Sequence, residues 1–330
     1  MERSDFCLVL HSHIPFVHGH GKHPHGEYWL LEAMYEVYLP LLEILDNTKN
    51  LNYQITLGIT PILLIQLSTQ DIQEKFNDYL LQKQSQLQQH SRYAHFSEVN
   101  NYWKELLEKR RNQWQYWKGD LVQAFCYYRD MGKICFLTSY ANHAYGPLLM
   151  YDQTIERELQ LGIQISEYYL RERPTGIWVP ECAFAPQRWH WNYLEQKQVL
   201  RKGIDRILEV NGIDYFFVES HLVEQAKSEG IQRNNIFTKL TWDARTQFSQ
   251  FQWGSTSQPT FVSSLGIGSK ISAFARDAKI SGQVWSADVG YPGDGRYLEF
   301  HKSVDGVRYW RVTDRRFQLD QKKIYQNSLV

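Results

Sequence analysis

Short runs of β-branched and aromatic residues, each followed by a long helical stretch, constrain this chain more than any other feature. Phe6 to Leu10, Tyr53 to Ile59, Ile134 to Thr138, Gly176 to Val179, Asp214 to Val218 and Ile271 to Ala275 read as strands. Glu27 to Leu45 reads as a helix, and Ile155, Leu159, Ile163 and Leu170 mark one face of another that ends before Pro174. Gln187 to Val210 reads as a further helix, and the polar stretch from Asp71 to about Met131 as a long helical insertion. Strands joined through helices pair in parallel, because a hairpin has no room for the crossover. A chain of 330 residues can bury such a sheet on both faces, whether open or closed into a barrel.

In a parallel sheet the loops leaving the C-terminal strand ends converge on one face, so their residues decide the chemistry. His11-Ser-His13-Ile-Pro15 follows the first strand and Ser139-Tyr-Ala-Asn-His143 the third. Pro180-Glu181-Cys182, Glu219-Ser-His221 and Arg276-Asp277 follow three more. One histidine or carboxylate at a strand end is an ordinary solvated group; a set of five marks a candidate site. Two chemistries fit these residue types. His11, His13 and His143 with an acid could hold a divalent metal, as in metal-dependent amidohydrolases. Alternatively, Glu181 attacks an anomeric carbon while the histidines and Arg276 hold sugar hydroxyls. Eleven tryptophans within an aromatic content of 15% tilt the choice toward sugar, whose C–H faces pack on indole, although large rings also fill large cores.

Composition excludes other classes. Thirty-six basic residues balance thirty-six acidic ones, which gives no reason to expect nucleic acid or an anionic membrane as partner. Cys7, Cys126, Cys135 and Cys182 are scattered without a Cys-x-x-Cys pair, which argues against a zinc knuckle or disulfide framework and fits a reducing cytoplasm. No stretch approaches the roughly 20 apolar residues of a membrane span, and the run Phe6 to Leu10 is too short for a signal peptide.

Several motifs together resemble glycoside hydrolase family 57, and within it the 1,4-α-glucan branching enzymes. His11-Ser-His13-Ile-Pro15, Gly58-Ile-Thr-Pro61 and Gly176-Ile-Trp-Val-Pro-Glu-Cys-Ala183 are similar to the family's first three motifs. Thr138 to Tyr145, Glu27-Tyr-Trp29, Gln283-Val-Trp-Ser286 and Gly290-Tyr-Pro-Gly-Asp294 add to the match. The resemblance implies a seven-stranded (β/α) barrel over 1–312 with a helical insertion at about 71–131, followed by a polar tail, 313–330. It implies retaining transglycosylation of α-1,4-glucan with Glu181 as nucleophile, and substrate contacts from His11, His13, Trp29, His143, Arg276 and Trp285. It implies no cofactor and no metal.

The family's late motif, which carries the acid/base Asp, has no counterpart in this sequence. The expectation is therefore an incomplete (β/α)7 TIM-like barrel, truncated before its last strand and the C-terminal helical domain. Such a chain would be inactive alone, or a glucan-binding remnant, and would pair with a complementary fragment or with itself. The family's lid-loop Tyr is also missing, which assigns that place to Trp242 or Trp253.

Overall fold

The computed structural model describes residues 6–22, 25–220, 260–261, 271–288 and 290–312. His221, Trp242, Trp253 and the stretch 313–330 lie outside those residues. The elements in chain order are β1 (Val9–Ser12), α1 (Glu27–Ala33), a π-helical turn (Met34–Tyr38) and α2 (Leu39–Thr48). Next come β2 (Ile55–Ile59), α3 (Pro61–Leu67), α4 (Gln70–His90), α5 (Ser97–Tyr116), α6 (Leu121–Asp130), β3 (Ile134–Thr138) and α7 (Asp152–Leu170). Then follow β4 (Gly176–Ile177), β5 (Arg188–Asn192), β6 (Lys197–Arg201), α8 (Ile204–Val210), β7 (Tyr215–Val218), β8 (Thr260–Phe261) and β9 (Ser272–Ala275). The last are α9 (Ala278–Trp285), β10 (Ser303–Val304) and β11 (Val307–Arg308).

The main sheet runs β1-β2-β3-β4-β7-β9-β8. Every pair from β1 to β9 is parallel, and only β8 joins antiparallel. This is the α/β architecture of an incomplete parallel barrel. The described residues divide into two compact units. The first, Met1–Val17, Asn47–Leu67 and Phe125–Asp277, contains this sheet. Helices α7 and α8 bury Ile155, Leu159, Ile163, Ile207 and Leu208 against Ile177, Phe216 and Val218 of the sheet. Each such side chain stabilises the fold by roughly 1.5–3 kcal/mol. Thr138 at the end of β3 completes the contact by hydrogen bonding the Gly162 carbonyl at 3.2 Å and Ser166 Oγ at 2.8 Å.

The second unit, His18–Asp46, Ser68–Ala124 and Ala278–Val330, is built on helices α1, α4 and α5 and the β10–β11 hairpin. Asp305 and Gly306 both take left-handed conformations (φ 49 and 73) between the two short strands, as a tight Asp-Gly hairpin turn requires. Arg308 anchors the hairpin. Its buried guanidinium bonds Glu36 at 2.5 Å and Glu32 at 2.9 Å, and Trp103 Nε1 donates to its carbonyl at 2.7 Å. No described helix is long and apolar enough to cross a membrane.

One sequence expectation needs correction. Gln187 to Val210 is a helix only from Ile204; before it, Arg188–Asn192 and Lys197–Arg201 form an antiparallel hairpin. Trp189 and Trp191 alternate with less exposed neighbours at period two, and the Asn192 side chain accepts from the Leu194 and Glu195 amides at 3.0 and 3.1 Å, an Asx turn that diverts the backbone. The stretch 71–131 is helical as expected, built of α4, α5 and α6. Left-handed Lys118 and Gly119 (φ 52 and 78) end α5's course, and Asp120 Oδ1 caps the next helix at the Gln123 amide, 2.8 Å away.

Gly162 faces the end of β3 so closely that an added Cβ would lie 2.2 Å from the Ser139 carbonyl oxygen. Backbone cannot yield there without moving α7. Gly162→Ala is expected to destabilise the protein by about 1–3 kcal/mol, the usual overpacking cost, read as a lower urea midpoint at unchanged slope. Wild-type stability in the alanine variant would mean that α7 does not seat on β3.

Candidate active site

The C-terminal edge of the sheet gathers five aromatic rings in a column. Phe217 of β7 stacks on Trp178 at 5.8 Å, and Trp178 on His11 at 4.8 Å. His11 stacks on His143 at 5.0 Å, and His143 on His13 at 4.0 Å, with interplanar angles of 22° and 24°. The register explains how these rings meet. His11 of β1 stands opposite Gly58 of β2, where a Cβ would come within 3.2 Å of His11 Nδ1; the glycine leaves the imidazole its space. His143 closes a turn after β3, with its amide bonded to the Tyr140 carbonyl at 3.1 Å and its own φ at 57.

The column holds its imidazoles neutral. Burial, and then the neighbouring His143 and His13, push His11 from its ordinary 6.5 down to about 3. Burial, followed by His13, pushes His143 to about 3, and burial also lowers His13. Both His11 nitrogens are buried and without a hydrogen-bond partner among the described residues. His13 Nδ1 lies 3.2 Å from Thr60 Oγ1, and His143 Nδ1 lies 3.0 Å from Ser139 Oγ.

Beside the column stands Glu181. Its carboxylate is exposed, 4.0 Å from His143 Nε2. It sits on a tight turn in which the Cys182 amide bonds the Val179 carbonyl at 2.8 Å and the Ala183 amide bonds that of Pro180 at 3.1 Å. Glu181 and Cys182 are both left-handed, at φ 58 and 50. Two successive non-glycine residues there cost on the order of 1–3 kcal/mol each, a strain that concentrates at functional turns. Cys182 is buried; desolvation first, then Glu219, pushes its thiol up to about 12, so it is an inert apolar filler. Arg276 donates to Glu219 Oε2 at 2.8 Å.

The structure therefore brings His11, His13, His143 and Glu181 together, with Arg276 and Glu219 paired at the neighbouring strand ends β9 and β7. Trp29 and Trp285 belong to the second unit, on α1 and at the end of α9, both exposed; Trp29 sets its ring edge to His25 at 5.7 Å. Sequence reasoning missed Trp178, Ser139 and Thr60 as parts of the site, although each lies inside a motif it had singled out. A metal needs nitrogen lone pairs aimed at one point, whereas these imidazoles meet face to face. Among the described residues the group close enough to hold an ion is His18, Glu27 and Asp71 in the second unit. Lys75 Nζ already bonds Glu27 at 2.6 Å and Asp71 at 2.7 Å there.

A family model described as glycosyl hydrolase family 57 matches residues 7–322. The chain is 34% identical over 325 residues to a 1,4-alpha-glucan branching enzyme of Thermococcus kodakarensis, covering 96% of this chain and 45% of the relative. The crystal structure of that family 57 branching enzyme, in complex with glucose, superposes with a TM-score of 0.82 at 31% identity, over 98% of this chain and 57% of that one. A family 57-type branching enzyme of Pyrococcus horikoshii gives 0.76 at 34% identity, over 94% and 54%. An alpha-amylase of Thermotoga maritima gives 0.74 at 28%, over 99% and 60%. The chain thus spans about half the length of the curated relatives it matches.

The lowered histidines make stability depend on pH. Between about 3 and 6.5 the unfolded chain binds protons at His11 and His143 that the folded protein refuses, so stability rises with pH across that window and falls as the solution is acidified. The thermal midpoint is expected to drop from pH 7 to pH 4.5, less steeply in His11→Gln than in the wild type. Equal slopes in the two proteins would show that His11 is not held neutral.

Proposed function

The chain belongs to glycosyl hydrolase family 57, and from that membership we propose that it acts on α-1,4-glucan as a retaining transglycosidase of the branching-enzyme kind. One observation supports this above the others: an exposed carboxylate on a strained turn stands beside a column of neutral imidazoles and an indole. Glu181 attacks the anomeric carbon as the α-1,4 C1–O bond breaks and the departing 4-oxygen takes a proton from a general acid. A 6-hydroxyl then attacks C1, displaces the Glu181 carboxylate and gives its proton back to that group, leaving an α-1,6 branch. Neutral imidazoles suit this better than charged ones, because they hydrogen-bond hydroxyls without drawing the carboxylate into an ion pair. His11, His13 and His143 contact the sugar in this reading. Arg276, held by Glu219, lines the neighbouring strand end. Residues 1–312 form the catalytic barrel portion, with the helices of 71–131 as its insertion.

A glucosyl fluoride carrying a second fluorine on the ring separates nucleophile from acid, because fluoride departs without a proton. The Glu181 oxygen forms the bond to C1 as the C1–F bond breaks, and the slowed intermediate is read by mass spectrometry. The Glu181 peptide is expected to gain one fluoroglucosyl group, and Glu181→Gln to gain none. The same variant should lower turnover of activated maltosyl fluoride by about 10³-fold or more. A label on another carboxylate would sink the assignment. Transfer to a 6-hydroxyl is read separately, as new α-1,6 signal in the proton spectrum of treated amylose.

A further inference from the structure

We infer that Ser139 is a positioning residue: it fixes the proton of His143 on Nδ1 and leaves Nε2 as a bare acceptor facing Glu181. The inference rests on the reading of that site as a glucan site only in its consequence for substrate; the proton count itself does not. Ser139 is buried at the end of β3, with Oγ 2.8 Å from the Trp178 carbonyl oxygen and 3.0 Å from His143 Nδ1. A serine hydroxyl has one proton, and a carbonyl oxygen can only accept. The Ser139 O–H therefore goes to Trp178, and its lone pair takes a hydrogen from His143 Nδ1.

His143 is flanked by His11 and His13, and its burial keeps it neutral. A neutral imidazole carries one N–H, so Nε2 has none. The 4.0 Å separation of Nε2 and Glu181 Oε1 is then an approach of two acceptors, neither an ion pair nor a hydrogen bond. The gap takes a group that donates. A sugar hydroxyl placed there gives its hydrogen to Nε2 or to the carboxylate, and an ether or carbonyl oxygen is refused. The Trp178 carbonyl that orders Ser139 lies three residues before Glu181, so the nucleophile's own strand sets the proton position across the site.

Long-range proton–nitrogen correlation spectra of histidine-labelled protein test this, with the His143 signals identified by their loss in His143→Gln. At neutral pH the wild type is expected to show a protonated Nδ1 and an unprotonated Nε2. Ser139→Ala should move the proton toward Nε2 and lower the rate of glycosyl trapping by about tenfold, the worth of one hydrogen bond. Ser139→Thr, which keeps the hydroxyl, should preserve the wild-type pattern. Ser139→Cys has nearly the same size and a poor acceptor, and it replaces the alanine variant if that fails to fold. A wild-type His143 protonated on Nε2, or a proton position unmoved in both Ser139→Ala and Ser139→Cys, overturns the proposal. A shifted proton in a protein that traps no glycosyl group leaves the Ser139 assignment standing and removes only the glucan reading.

Discussion

Parallel pairing across β1, β2, β3, β4, β7 and β9 is the constraint from which the rest of the first unit follows. Parallel strands send their chain ends out along one edge, so segments far apart in sequence emerge side by side. His11, Ser139, Trp178 and Phe217 meet for this reason alone; no local motif links residue 11 to residue 217. The pairing also fixes where space must be left. Gly58 is opposite His11, and Gly162 lets α7 lie against the Ser139 carbonyl. A side chain at Gly162 would act on the site by displacing backbone, whereas one at Gly58 would press on the His11 imidazole itself.

The column trades solvation for geometry. Three imidazoles stripped of water lose their charge, and His11 loses every hydrogen-bond partner among the described residues as well. Leaving buried polar atoms unpaired costs about 1–3 kcal/mol per group, and the turn at Glu181 adds strain of similar size. Neither cost helps folding. Both are offset by the apolar contact of α7 and α8 with the sheet, which gives the edge a rigid support.

Where a segment carried one dominant periodicity, its sequence was legible. Ile134–Thr138 matches its expected bounds, and α7 ends before Pro174 as its apolar stripe implied, because branched residues or a clear periodicity left no competing reading. The strand ends could be read for histidines and carboxylates, since topology alone says where they gather. The family motifs then singled out Glu181 among them. Failure came where tertiary or side-chain detail decides. Arg188 to Arg201 was misjudged because Asn192 folds back on two amides, a local bond that overrides helical composition. Ser139 went unnoticed as a partner of His143 because their bond depends on the shape of the turn between them, and Thr60 as a partner of His13 because a bond across strands leaves no spacing in the sequence. Trp178 was quoted in its motif, yet only the fold reveals its ring against His11.

The hairpin after Glu181 leaves the fold and returns to it almost where it left. The Ile204 amide bonds the Ala185 carbonyl at 2.9 Å, so residues 186–203 form a closed detour whose two ends are already tied together. Arg201 clips its returning strand to the carbonyl of Leu149 at 2.8 Å. The sheet beneath does not need the detour's length or composition to keep its own register. Segments joined in this way are natural places for one scaffold to diversify: the outer strands, with exposed Trp189, Trp191 and Tyr193, can be lengthened, shortened or repainted over generations while the carboxylate just upstream stays where it is.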